Sequence, residues 1–229
     1  MIDLKGYGWM LWDGLQVTLS VGVLSLGVAV LMGLIGAWGK LSKSKIANTL
    51  AGTYTTVIRG VPELLLILLI YYGTPTLIQW WLEQAGHDVI IDVNPFIAGV
   101  WTIGFIYGAF ATEVFRGAVL AVPKGQIEAA QAYGMSRMTV VRRILLPQVW
   151  RFALPGIGNV WMVLIKATAL ISVIQLPELM RNTDIAARAV RMPFTFFLIA
   201  ALIYLGITIV SMQLQQRAET WANRGIRRA

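Results

Sequence analysis

The 229-residue chain has no cysteine and a single histidine, His87. Without cysteine there is no disulfide framework, no thiolate nucleophile and no Cys-ligated zinc or iron–sulfur site. One histidine is too few for a His-rich metal centre and makes a Ser–His catalytic pair a poor starting point. The spacing around His87 supplies no further ligands, so it reads as a solvated residue of an acidic loop. Charge is scarce too, at 13% of residues, against about 25% in an average globular domain. Disorder is excluded, because 57% of the residues are hydrophobic.

What the chain does have is long uncharged runs, and its mean hydropathy is +0.69. A helix needs roughly 20 apolar residues to cross a hydrocarbon core of about 30 Å. Five stretches qualify, at about 15–39, 59–82, 93–115, 152–176 and 193–216, the fourth interrupted by Lys166. The reading is an all-α integral membrane protein in one transmembrane domain. Asp3 and Asp13 flank the start in place of the basic segment of a signal peptide, so the first run is a retained helix.

Lys and Arg number 19 against 11 Asp and Glu, a net charge of +8. The excess sits in loops, which argues for a cytoplasmic face and against a nucleic-acid partner. Lys40, Lys43, Lys45 and Arg59 follow the first run; Arg116, Lys124, Arg137, Arg142, Arg143 and Arg151 follow the third; Arg217, Arg224, Arg227 and Arg228 end the chain. The loop after the second run carries Glu83, Asp88 and Asp92 without a base. The positive-inside rule puts the N-terminus outside and the C-terminus in the cytoplasm. Arg181, Arg188 and Arg191, beside Glu178 and Asp184, are the exception.

The long basic loop, 122–150, reads VPKGQIEAAQAYGMSRMTVVRRILLPQVW. A helical stretch around Glu128, Ala129 and Ala130, a turn at Gly134 and a second stretch from Ser136 to Leu146 make a helix–turn–helix at the inner surface. Pro147 is expected to end that second stretch. Ala129, Ala130 and Gly134 form a small-residue face that lets a partner approach closely.

The spacing E-A-A-x3-G-x9-I-x-L-P, met at Glu128, Ala129, Ala130, Gly134, Ile144, Leu146 and Pro147, resembles the coupling loop of permease subunits of bacterial ABC uptake transporters. The segments Arg59-Gly60-Val61-Pro62-Glu63, Ile70-Tyr71-Tyr72-Gly73, Glu113-Val114-Phe115-Arg116-Gly117 and Val122-Pro123-Lys124-Gly125-Gln126 resemble polar-amino-acid permeases. The likeness is to the Q-type subunit of histidine, lysine–arginine–ornithine, arginine and opine systems. Many relatives have Asp-Thr-Ser after the lysine where this chain has Ala167-Thr168-Ala169, which weakens transfer of substrate contacts to that stretch.

The resemblance implies a type I ABC importer permease fold in a bacterial inner membrane. It also implies two ATPase subunits, a second permease (a paralogue more than a second copy), and an extracytoplasmic solute-binding protein. The chain has no Gly-x4-Gly-Lys-Ser/Thr phosphate loop, so ATP and Mg2+ would be bound by the partner ATPase and the chain itself would carry no cofactor. The residues of the E-A-A segment would seat in the ATPase and transmit its closure.

Ionisable residues within spans are the candidates for a substrate pathway. Glu63 follows Pro62 at a helix start near the cytoplasmic boundary. Its carboxylate meets a substrate guanidinium or ammonium, caps the helix start, or pairs with Arg59 one turn back. Lys166 either faces a substrate carboxylate or pairs with an acid such as Glu113; Thr168 follows it in the same segment. Glu113 and Arg116 are spaced for an i,i+3 pair. Pro155-Gly156-Ile157-Gly158-Asn159 marks a kink, and Gly104-x3-Gly108 a packing surface that fits an interface between permeases. The alternative function is an ATP-independent secondary transporter, against which no inverted repeat is visible. A membrane enzyme lacks a nucleophile–base or metal-ligand cluster.

Overall fold

The computed structural model describes residues 4–87 and 93–224. The loop acids Asp88 and Asp92, together with Asp3, Arg227 and Arg228, lie outside the described residues. Among the described residues every regular element is a helix. We number them α1 (Gly8–Leu41), α2 (Lys45–Gly60), α3 (Glu63–Gln84), α4 (Pro95–Leu120), α5 (Lys124–Ala132), α6 (Arg137–Ile174), α7 (Leu179–Val190) and α8 (Pro193–Ala222). Five of them, α1, α3, α4, α6 and α8, are long and apolar enough to cross a membrane.

Several boundaries differ from the sequence expectation. Helix α1 starts at Gly8 instead of residue 15, because Asp13 lies on the helix without interrupting it. Residues 59–61 do not belong to the second span. Arg59 and Gly60 end α2, and Val61 and Pro62 are extended, as the steric demand of proline on its predecessor requires. Helix α4 runs on to Leu120, beyond residue 115.

The largest difference is at the fourth span, which starts at Arg137 instead of residue 152. Pro147 does not end the helix. A wide π turn at Val141–Leu145 precedes it, and Gln148 Nε2 donates to the Ile144 carbonyl at 3.0 Å. Widening the turn just ahead of the ring lets the chain continue as a helix past the missing N–H. Pro155 is likewise inside α6.

Lipid tails are as apolar as leucine, so close fit rather than water exclusion holds spans together. Helices α1 and α4 run parallel, in register from Ser25, whose hydroxyl donates to the Val100 carbonyl at 3.1 Å, to Gly36 beside Thr112. A Cβ at Gly36 would stand 2.2 Å from Thr112 Oγ1, and one at Gly33 would meet Ala111 Cβ at 2.6 Å. Gly104 and Gly108 face Val28 and Met32 of α1. The small-residue surface on α4 is therefore an internal contact, not an interface between permeases. Gly156 and Gly158 pack on Val114 of α4 and Gln215 of α8. Ile103, Ile106, Tyr107, Leu164 and Ile171 fill the centre between α4 and α6.

Candidate functional site

The break between α2 and α3 creates the first site. Pro62 has no N–H to lose at a helix start, so α3 begins directly after it, with Glu63 in its first turn. The Tyr107 hydroxyl donates to the Glu63 carboxylate, 3.0 Å from each oxygen. Tyr107 is buried near the middle of α4, so Glu63 sits level with the centre of that helix and not at a cytoplasmic boundary. Arg59 turns away from it: its guanidinium lies 5.3 Å from the Phe110 ring centroid, and Phe110 stacks on Tyr107. Among the described residues no Arg59–Glu63 ion pair forms. A half-buried carboxylate at an interrupted helix, held by one neutral hydroxyl, is equipped to receive a cation.

Lys166 lies near the end of the α-helical part of α6, on the wall of a groove of about 300 Å3 shared with Ala169, Met180, Phe197, Ala201 and Tyr204. It does not reach Glu113. That carboxylate is taken by Lys40 Nζ and by Arg116 Nε at 2.9 Å. Lys40 also donates to Thr55 Oγ1 at 2.8 Å. Glu113 thus ties the ends of α1, α2 and α4 together, with the i,i+3 pair in place. Thr168 is fully buried, and its hydroxyl donates to the Ile165 carbonyl at 2.7 Å.

The E-A-A segment splits into two faces. Glu128 and Ala129 on α5 are exposed, whereas Ala130, next along a helix that turns by 100° per residue, is buried against the chain. The expected small-residue face is therefore not one surface. Gly134 adopts φ +77°, and the Gly134 and Met135 amides close the helix end on the carbonyls of Gln131 and Ala130. That left-handed position is one a side chain would strain. The Ser136 hydroxyl then accepts from the Thr139 amide at 3.3 Å and starts α6. Gln148 bonds the Gln126 side chain across the turn. Ile144 is half-buried, while Leu146 and Pro147 are exposed on the first turns of α6. Tyr133 and Met138 project at the tip, 88% and 75% exposed. The result is a rigid knob with an uncovered face.

The sequence places Glu178 among the loop charges, whereas the structure buries it completely. It caps α7, accepting from the Met180 and Arg181 amides at 2.8 and 2.7 Å. Thr18 of α1 and Tyr204 of α8 reach it at 3.5 Å, and the Leu179 amide donates to Thr18 Oγ1. Burial pushes its pKa up to about 7 despite these donors. The available signal was an acid directly before the amphipathic run 179–190, the position of a helix cap. Its partners lie too far away in sequence to be read. Arg188 pairs with Asp184 at 2.9 Å on the exposed side of α7.

A family model described as "Binding-protein-dependent transport system inner membrane component" matches residues 29–223. The chain is 45% identical over 226 residues to the histidine/lysine/arginine/ornithine transport system permease protein HisQ of Escherichia coli, covering 99% of each. It is 43% identical to the octopine transport system permease protein OccQ of Rhizobium radiobacter, covering 97% of this chain and 94% of that one. A crystal structure of an amino acid ABC transporter with histidines contains a chain that superposes with a TM-score of 0.81 at 33% identity, over 96% of this chain and 99% of that one. The ATP-independent alternative has no counterpart among these relatives.

Proposed function

Because the chain belongs to the family of binding-protein-dependent transport system inner membrane components, and so is a permease subunit of an ABC importer, we propose that its cargo is a basic amino acid or an opine. Its HisQ relative is named for histidine, lysine, arginine and ornithine, and its OccQ relative for octopine. The observation that carries the reading is the Glu63 carboxylate at the α2–α3 break, level with mid-α4 and free of any cationic partner among the described residues. A substrate guanidinium or ammonium would complete it with a charge-assisted hydrogen bond. Lys166, in its groove, is the candidate for the substrate carboxylate.

A separate ATPase would grip the exposed face of α5 at Glu128 and Ala129, with Tyr133 and Met138 at the rim. Its ATP and Mg2+ would be held by that subunit. ATP drives the permease outward only through differential affinity for the two states. A paralogous second permease and an extracytoplasmic binding protein complete the assembly. The ends of α1 and α4 that carry Lys40 and α5 lie together, which supports an outside N-terminus and a cytoplasmic C-terminus.

The test is ATP-dependent arginine uptake in liposomes containing the chain with its ATPase, second permease and binding protein. Wild-type uptake should vanish with Glu128→Arg, and Glu63→Gln should reduce uptake of arginine relative to a neutral amino acid. Uptake indifferent to ATP and to Glu128→Arg would overturn the coupling role. An unchanged cargo preference in Glu63→Gln would overturn the cargo site.

A further inference from the structure

The α1–α2 hairpin carries a feature outside the cargo and coupling sites proposed above. Gly39 lets the two helices touch, since a Cβ there would stand 3.0 Å from that of Ala51. Beside that contact lies a groove of about 230 Å3, lined by Ile35, Gly36, Gly39, Ala47, Leu50 and Ala51. Its lining, which includes Trp38, is almost wholly apolar, and Trp38, Leu50 and the neighbouring Ile46 are largely exposed. The tight turn joining the helices carries Lys43, and Lys45 opens α2; both are exposed. Between Asp13 and Glu63 the chain has no acidic residue. Among the described residues neither lysine forms an ion pair, and the nearby Glu113 is already taken by Lys40 and Arg116.

An apolar channel at membrane depth, topped by two cations without counter-charge, is complementary to one molecule type: a lipid with an acyl chain below and an anionic headgroup above. A soluble anion would leave the groove empty, and a neutral lipid would leave the lysines unmatched. We propose that this hairpin is a selective binding site for an anionic phospholipid, with one acyl chain between α1 and α2 and the phosphate at Lys43 and Lys45. The inference does not depend on the cargo.

The full chain purified in detergent would be offered equal amounts of phosphatidylglycerol and phosphatidylcholine of matched acyl length, and retained lipid counted by native mass spectrometry. Phosphatidylglycerol should be preferred by roughly fivefold for each lysine. The preference should disappear in Lys43→Gln/Lys45→Gln and persist in Lys43→Arg/Lys45→Arg, which also reports that the hairpin folds. Phosphatidylglycerol brominated on its acyl chain should quench a fluorescence component that is missing in Trp38→Phe, because Trp38 lines the groove. Equal retention of the two lipids, a preference that survives removal of both lysines, or no quenching of Trp38 would each overturn the site. Displacement of the lipid by millimolar glycerol phosphate would assign the lysines to a soluble anion instead.

Discussion

Glu178 offers a sharp test of the fold, because one group is responsible for a pH dependence whose sign and size follow from its surroundings. Its carboxyl is pushed from 4.5 to about 7 by burial between α1, α7 and α8. The folded chain therefore holds this proton more tightly than the unfolded chain does. Between those two values the unfolded state binds fewer protons, so stability falls as pH rises and levels off above 7. At about 1.4 kcal/mol per pH unit the total change is about 3 kcal/mol. The measurement is the unfolding free energy of the full chain in mixed micelles from pH 5 to pH 8. The parent should lose most of that amount, and Glu178→Gln, which cannot ionise, should give a nearly flat profile. A slope that survives Glu178→Gln, or a parent without a slope, would refute the buried three-helix junction.

Other consequences can be tested in the same preparation. Gly36→Ala should destabilise the chain by about 1–3 kcal/mol by overpacking, with much of the loss recovered in Gly36→Ala/Thr112→Ala. Gly27→Ala, on the same helix with nothing within 4 Å, should instead stabilise by up to about 1 kcal/mol; chemical unfolding reads both. Gly134→Ala should cost roughly 1–2 kcal/mol of left-handed backbone strain, seen as faster amide exchange over 124–135 and weaker ATPase binding. Tyr107→Phe removes the hydroxyl that holds Glu63 without changing volume, so it should raise the KM for a basic cargo while leaving stability within about 1 kcal/mol.

The membrane class and the helical composition were legible because a bilayer imposes them locally. A run without charge must cross as a helix whatever surrounds it. The same holds for the E-A-A segment and its Gly134 turn, whose geometry is set within a dozen residues. Helix ends were less legible. Pro147 and Pro155 carry the same local warning against a helix as Pro62, yet only Pro62 stands at a break. The π turn and the Gln148 side chain rescue the first of the other two, and no residue spacing announces such a rescue.

Partner choice among ionisable groups was beyond the sequence. Glu113 selects Lys40 rather than Lys166, Arg59 stacks on Phe110 rather than pairing with Glu63, and Glu178 is buried rather than solvated. Each outcome depends on which helices lie side by side. Glycine contacts set those neighbours: Gly36 on Thr112, Gly104 on Val28 and Gly14 on Leu179. Composition and uncharged runs determined that this chain spans a membrane, and its E-A-A spacing carried the resemblance to a coupling loop. The tertiary structure decided which charges face each other, because electrostatic energy depends on distance through space and not along the chain.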